Sequence, residues 1–441
     1  MENNRDGFSG KFGVIAAAAG SAIGLGNIWR FPYILGENGG AAFLLVYLLF
    51  IFVMGVPVML SEFVIGRKAQ SNIIGAFKKT APGKPWYIIG IMGIGAAFMI
   101  LSFYSVVAGW TLEYAFLALK NNFAGKDIVE IKTIYDNLTA GSWNSVIIMI
   151  LFLAITALIV SFGIQKGIER YSKILMPMLF IIIVLLCIRS ITLAGASDGL
   201  NFLFKPDFGK LTTNAILQAL GQAFFSLSLG MGVMATYGSY IKKSESLGKT
   251  AISVSLTDTC IAVLAGVAIF PAVFAFGIEQ GEGPGLVFVT LPAIFNQMFG
   301  GYFFAVSFFI LLIIAALTSA ISLLEVVVAY FSEELKLNRI AATWIATGAT
   351  IMPAIICAKY GAVFNFFDKT SSNVLLPLGG LLIVIFAGWF MGLNKVRKEL
   401  EADGRPARYF KVFIFIIRFL APIAIALVFL NSLGLMNAGN F

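Results

Sequence analysis

The chain of 441 residues contains no histidine. That absence removes imidazole from every acid–base, nucleophilic or metal-binding scheme. Cysteine is nearly absent as well. Cys187, Cys260 and Cys357 stand far apart inside apolar runs with no C-x-x-C spacing, so they read as small packing residues and give no disulfide framework. Charge is the third deficit. Charged residues make up 12% of the chain, hydrophobic ones 59%, and mean hydropathy is +0.92. A soluble domain is typically about 25% charged and about 45–50% apolar. A chain with so little polar surface cannot cover itself in water, so lipid must be its solvent. Carboxylates paired at a helical spacing are missing too, which leaves a membrane enzyme without a catalytic constellation.

What is present is apolar length. A helix needs about 20 apolar residues to cross a bilayer. Eleven runs meet that need, at 12–36, 41–65, 87–119, 144–164, 172–196, 213–241, 250–278, 300–330, 340–358, 374–394 and 409–434. The first run has no small-residue cleavage site after it and reads as a retained helix, not a signal peptide. The net charge of +9 would suit a nucleic-acid ligand if it were gathered into one patch. Instead the basic residues fall in short connections. With the N-terminus inside, 21 Lys and Arg lie in inner segments and 8 in outer ones, leaving Arg30 and Arg418 within spans. That asymmetry predicts a cytoplasmic N-terminus and an outer C-terminal tail from Asn431 to Phe441.

Two of the runs are interrupted. The first contains GSAIGLGNIWRFPY, Gly20 to Tyr33, and the sixth GQAFFSLSLGMG, Gly221 to Gly232. Each glycine inside a helix costs up to about 1 kcal/mol relative to alanine, so such clusters favour unwinding. Close packing of small residues between helices is the other reading of either segment alone. Their placement favours unwinding, because each opens a five-span half. Corresponding breaks in two halves mark the midplane site of a transporter, where half-helix N-termini meet a carboxylate and freed carbonyls meet a cation.

The Gly20–Tyr33 stretch is followed by GENGGAAF (36–43), SEFVIGR (61–67), WTLEYAF, FFSLSLGMG, AIFPAVFAFG, LPAIF and LTSAISLLE. In these motifs, which extend over nearly the whole chain, it resembles the neurotransmitter:sodium symporter family. The eleven spans resemble bacterial members that carry tyrosine, tryptophan and other hydrophobic amino acids. The resemblance implies an all-α transporter domain over residues 1–440 in a bacterial inner membrane, as a monomer or a dimer. Its inverted repeats would be 11–197 and 213–394, with an extra helix at 409–434. The partners implied are an amino acid, sodium at two sites and the lipid bilayer, with no organic cofactor and no nucleic acid.

The same resemblance implies a site, residue by residue. Tyr104 and the amides near Leu25 and Gly26 would hold the substrate carboxylate. Carbonyls of Ala22, Phe225 and Ser226 would meet its amino group, with Ser228 adjacent. Ile100, Phe225, Met231, Ser319 and Leu323 would surround its side chain. No acidic group lines that wall, so the pocket suits a zwitterion and not a monoamine. One sodium would take the Ala22 carbonyl, the Asn27 amide, Ser226, Asp258 and the substrate carboxylate; Thr257 is the alternative at the seventh-span position. The acidic Asp258 would supply the charge for which other relatives recruit chloride. The second sodium would take carbonyls of Gly20, Ile23 and Ala315 with the hydroxyls of Thr318 and Ser319, whose other reading is bonding to their own helix. Arg30 and Asp368 would form the outer gate. Arg5 and Glu333 would form the inner one beside Phe8, which stands where the family often has Trp, and Tyr240. Glu62 is placed near the first-span break as a partner for unwound backbone. An ion channel, and a carrier of another amine or amino acid driven by sodium or protons, are the rival readings.

Overall fold

The computed structural model describes residues 7–277, 283–401 and 406–435, and among these it is helical with no strand. Among the described residues nine uninterrupted helices are long and apolar enough to cross a membrane. They are Ala41–Ala69, Tyr87–Leu119, Trp143–Ser161, Ile164–Ile191, Leu247–Phe276, Gly301–Glu334, Arg339–Lys359, Gly361–Phe390 and Phe410–Ser432. A bent pair, Lys11–Ala22 and Gly26–Glu37, makes the first span, its halves 53° apart. The sixth run has a longer interruption: Thr213–Ser226 stops, and Val233–Gly238 resumes after six residues without helix. With these two, the nine continuous spans are the second to fifth and the seventh to eleventh. The chain is thus an all-helical polytopic membrane protein with breaks in its first and sixth spans.

Two boundaries differ from those expected. The fifth span begins at Ile164 and not near 172, because its first turn, Ile164–Glu169, is a π-helical turn in which Glu169 is partnered. Buried Glu169 accepts from the Ser9 amide (2.8 Å) and the Ser9 hydroxyl and pairs with Lys173 at 2.5 Å. The tenth span begins at Gly361, well before 374, since Asn365, Asp368 and Lys369 dilute the hydropathy of a segment that is nevertheless helical. Asp368 therefore lies inside that span and not at its outer start.

Large side chains on the outside of the bundle, such as Leu151, Ile181, Ile345 and Ile423, are exposed and make a lipid-facing surface. Inside, the third span packs along the eighth. Short helices cap both ends. Ile128–Thr139, opened by an Asp127–Glu130 capping box, and Leu286–Gln297 lie on the outer face. Ile73–Thr80 and Leu393–Leu400 lie at the end where Lys and Arg concentrate, which the charge asymmetry predicts to be the inner one.

Candidate functional site

The first-span break is short. The helix ends at Ala22, Ile23 is extended, and a π-helical turn begins at Gly26. Side chains receive the amides it frees. The Gly24 N–H donates to Asn27 Oδ1 (3.2 Å) and the Leu25 N–H to the Tyr104 hydroxyl (3.2 Å). A Cβ on Gly24 would stand 2.6 Å from Ser319 Oγ and one on Gly26 would stand 2.9 Å from the Phe225 ring. Backbone is thus exposed where a side chain would fill the site.

The sixth-span break runs from Leu227 to Gly232, with Ser228, Gly230 and Gly232 at φ +53°, +79° and +80°. Gly230 is required there: beyond its left-handed backbone, a Cβ would collide with the Leu376 carbonyl. Buried Glu62 holds this break by accepting from the Gly230 N–H (2.8 Å) and the Ala235 N–H (3.1 Å). Glu62 therefore serves the sixth-span break, not the first as expected, because the second span packs against the inner half of the sixth.

A cavity lies between the two breaks. Its walls carry every expected pocket residue except Leu25: Ala22, Gly26, Ile100, Tyr104, Phe225, Ser226, Ser228, Met231, Ser319 and Leu323, with Ser21 and Gly24 in addition. Leu25 turns its side chain into the core and contributes its amide. Ser21 escaped the sequence reading although it lies in the motif; its carbonyl accepts from Ser228 Oγ and Ser319 Oγ, each at 3.0 Å.

Oxygens converge on both sides of this cavity. On one side Asn27 Nδ2 donates to Asp258 Oδ1 (2.7 Å), and Ser226 Oγ lies 2.9 and 2.8 Å from the two Asp258 oxygens. The Tyr47 hydroxyl donates to Ser226 at 3.1 Å, a contact without any signal in the sequence, where Tyr47 is one aromatic in an apolar run. Thr257, the alternative to Asp258, bonds its own helix at Ser253 O (2.8 Å) while Asp258 is fully buried at the site. On the other side Ser319 Oγ lies 3.5 Å from Gly20 O and 3.4 Å from Ile23 O. Thr318 Oγ1 bonds Ile314 O (3.0 Å) and Ala315 O (3.1 Å). That is helix bonding, yet it places the hydroxyl beside the break: a Cβ on Gly20 would lie 3.2 Å from Thr318 Cβ. Among the described residues no cluster of three or more His, Cys, Asp or Glu exists to hold a transition metal. Carbonyls, hydroxyls, an amide and one carboxylate suit a hard monovalent cation instead.

The gates differ in how they are built. Arg30 and Asp368 are not in ion-pair contact within 4 Å, although the Asp368 charge acts on Arg30 over a longer distance. The guanidinium lies over the Phe225 ring, 4.4 Å from its centroid, and Asp368 accepts from the Ser372 hydroxyl at 3.1 Å. The aromatic face meets Arg30 because Phe225 sits at the end of the first half of the sixth span, beside the break. Phe225 lines both the cavity and an outer vestibule of about 360 Å³, so one ring and one guanidinium separate them. The inner side is thicker. Phe8 packs edge-on against Tyr237 and Tyr240 (5.7 and 6.1 Å), and its N–H donates to Tyr240 O. The Tyr240 hydroxyl donates to Glu325 (2.7 Å), which Arg339 also holds through two nitrogens (3.3 and 2.6 Å). Arg339 was missed, since nothing in a lone basic residue at a span start marks it. Arg5 lies outside the described residues; Glu333 accepts from Ser71 Oγ (3.0 Å) and the Asn72 N–H (2.7 Å).

Comparison with known proteins fits this geometry. Residues 5–133 and 120–441 match the model of the sodium:neurotransmitter symporter family. The chain is similar to the uncharacterized sodium-dependent transporter YhdH of Bacillus subtilis, 40% identical over 98% of each chain. It is also similar to an uncharacterized sodium-dependent transporter of Haemophilus influenzae, 37% identical over 97% of this chain and 98% of that one. Among solved structures, MhsT in complex with L-phenylalanine superposes with a TM-score of 0.91, at 45% identity over 97% of this chain and all of that one.

Proposed function

The chain belongs to the sodium:neurotransmitter symporter family and is a sodium-dependent membrane transporter, not an enzyme, and on that premise we propose that it imports hydrophobic or aromatic L-amino acids with two sodium ions, without chloride. The single observation that carries the reading is the cavity between the two breaks. Its lining combines the hydroxyls of Tyr104, Ser226, Ser228 and Ser319 and the backbone of the breaks with apolar Ile100, Phe225, Met231 and Leu323, and it contains no acidic side chain. Met231 is an adaptable, unbranched thioether that accommodates rings of different shape. MhsT, whose structure holds L-phenylalanine, supports the same class.

Coupling follows from a shared ligand. A substrate carboxylate that completes the sodium shell at Asn27, Ser226 and Asp258 binds well only with the ion present, and by linkage the ion binds better with substrate. Each sodium crossing 100 mV releases about 2.3 kcal/mol and a tenfold gradient adds about 1.4, so two ions supply roughly 7 kcal/mol, or about 10⁵-fold accumulation. The halves 11–197 and 213–394 form the inverted repeats, and the first, second, sixth and seventh spans rock as one group against the third, fourth, eighth and ninth. The N-terminus faces the cytoplasm of the bacterial cell.

Uptake into proteoliposomes tests this. L-phenylalanine, L-tyrosine or L-leucine should enter saturably with an inward sodium gradient, not with potassium, and equally in chloride-free buffer. Preference for glycine or a monoamine would refute the substrate class, and non-saturable sodium current would favour a channel. Tyr104→Phe should weaken substrate binding by about 10- to 100-fold, because a hydrogen bond to a charged group contributes about 1.5–3 kcal/mol. Radioligand displacement at fixed sodium reads that loss.

A further inference from the structure

Arg418 lies within the eleventh span, in the π-helical turn Ile416–Leu420. That turn packs against a second one, Phe386–Phe390, at the inner end of the tenth span. A π-turn frees a carbonyl from regular helix bonding, and Arg418 Nε donates to Gly388 O there at 2.6 Å. Gly388 permits the approach, since a Cβ would press on Arg418 Cγ at 3.1 Å. The guanidinium then lies over the Trp389 ring, 4.7 Å from its centroid. Among the described residues no carboxylate forms an ion pair with it, and its terminal nitrogens carry no hydrogen bond.

Depth and surroundings say what completes it. Trp86 packs on Phe386 and Phe390 at 5.3 and 4.6 Å, so Trp86 and Trp389 form an aromatic belt at this level. Such belts sit at the membrane–water boundary, where lipid phosphates lie. Trp389, Phe415 and Phe419 are about half exposed or more (52%, 60% and 48%) and make an apolar floor open to acyl chains. Exposed Lys411 stands seven residues before Arg418 on the same helix face, about 10 Å nearer the inner end.

We propose that this face is a binding site for the phosphodiester of an anionic phospholipid in the inner leaflet. The free edge of the Arg418 guanidinium offers paired donors that match two phosphate oxygens. Lys411 reaches the outer part of the headgroup, and the acyl chains lie on Trp389 and Phe419. A zwitterionic lipid brings its own cation and gains less from the same two side chains.

The full chain in phosphatidylcholine bilayers with a small fraction of brominated phosphatidylglycerol, or the same fraction of brominated phosphatidylcholine, tests this. The Trp389 contribution is isolated by difference from Trp389→Phe. Phosphatidylglycerol should be preferred at Trp389 about fivefold, the size of one basic contact at a membrane surface. Arg418→Gln should bring the preference close to one, Arg418→Lys should keep part of it, and Lys411→Gln should lower it with the bundle intact. Equal quenching by both lipids overturns the proposal, as does a preference unchanged in both glutamine variants. Loss of the preference on adding inorganic phosphate would mark a free-anion site, and no quenching by either lipid would mean that protein covers this face; either result also overturns it.

Discussion

Asp258→Asn should raise the sodium concentration needed for substrate binding by about 100- to 1000-fold in chloride-free buffer, the largest functional loss expected from any single isosteric change here. Asparagine matches the shape of Asp258 and retains one acceptor for Asn27 and Ser226. What it loses is the charge. A unit charge about 4 Å from the ion contributes up to about 4 kcal/mol at an effective dielectric of 20, and each 1.4 kcal/mol is tenfold. The site is fully buried, so solvent screens little of this. Under the proposed function the compensating charge is fixed on Asp258 instead of being carried by an exchangeable chloride. The variant should therefore regain part of its sodium affinity when chloride is added, while the parent should ignore chloride. Sodium titrations of radiolabelled amino-acid binding, with chloride against gluconate, check both halves. Wild-type sodium affinity in the chloride-free variant would remove Asp258 from the ion site.

How much of this was legible in the sequence depends on contrast. Gly20 to Tyr33 and Gly221 to Gly232 stand out because glycine and small polar residues are costly inside apolar helices, so both breaks could be placed before any coordinates; Ile100, Tyr104, Ser319 and Leu323 have no such contrast and were placed only by the resemblance to the family. Contrast fails where an ordinary residue acts through a distant partner. Tyr47 is one hydroxyl in an apolar run, and only the packing of the second span on the sixth brings it to Ser226. Arg339 resembles any basic residue at a span start until the ninth span brings it to Glu325. The outer gate shows a different limit. Order along a helix places Arg30 and Asp368 on the same side of the pocket but does not say that a Phe225 ring lies beneath the guanidinium. The start of the tenth span differs for a third reason: hydropathy sees Asp368 and Lys369 as an end, whereas the helix that begins at Gly361 runs through both.

Glu62→Ala should have the largest effect on stability, with loss of transport as a consequence. The two amides that Glu62 receives, Gly230 and Ala235, lie in and just after the sixth-span break, where the helix cannot supply acceptors. The residue is fully buried between the second and sixth spans, so no bulk water replaces the carboxylate. Leaving a buried donor unsatisfied costs about 1–3 kcal/mol, so two cost roughly 2–6. Folded domains are stable by only about 5–15 kcal/mol, which makes this loss comparable to the whole margin. Glu62→Gln separates geometry from charge. Its single carbonyl oxygen accepts from one of the two amides, and its NH₂ opposes the other, so it should lie between the parent and Ala. Thermal melting in detergent, followed by size-exclusion chromatography, orders the three proteins. Sodium with amino acid should raise the melting temperature of both variants, since a ligand that binds only the folded break stabilises it by mass action. If Glu62→Ala melts with the parent and transports at its rate, the sixth-span opening is held by something other than this carboxylate.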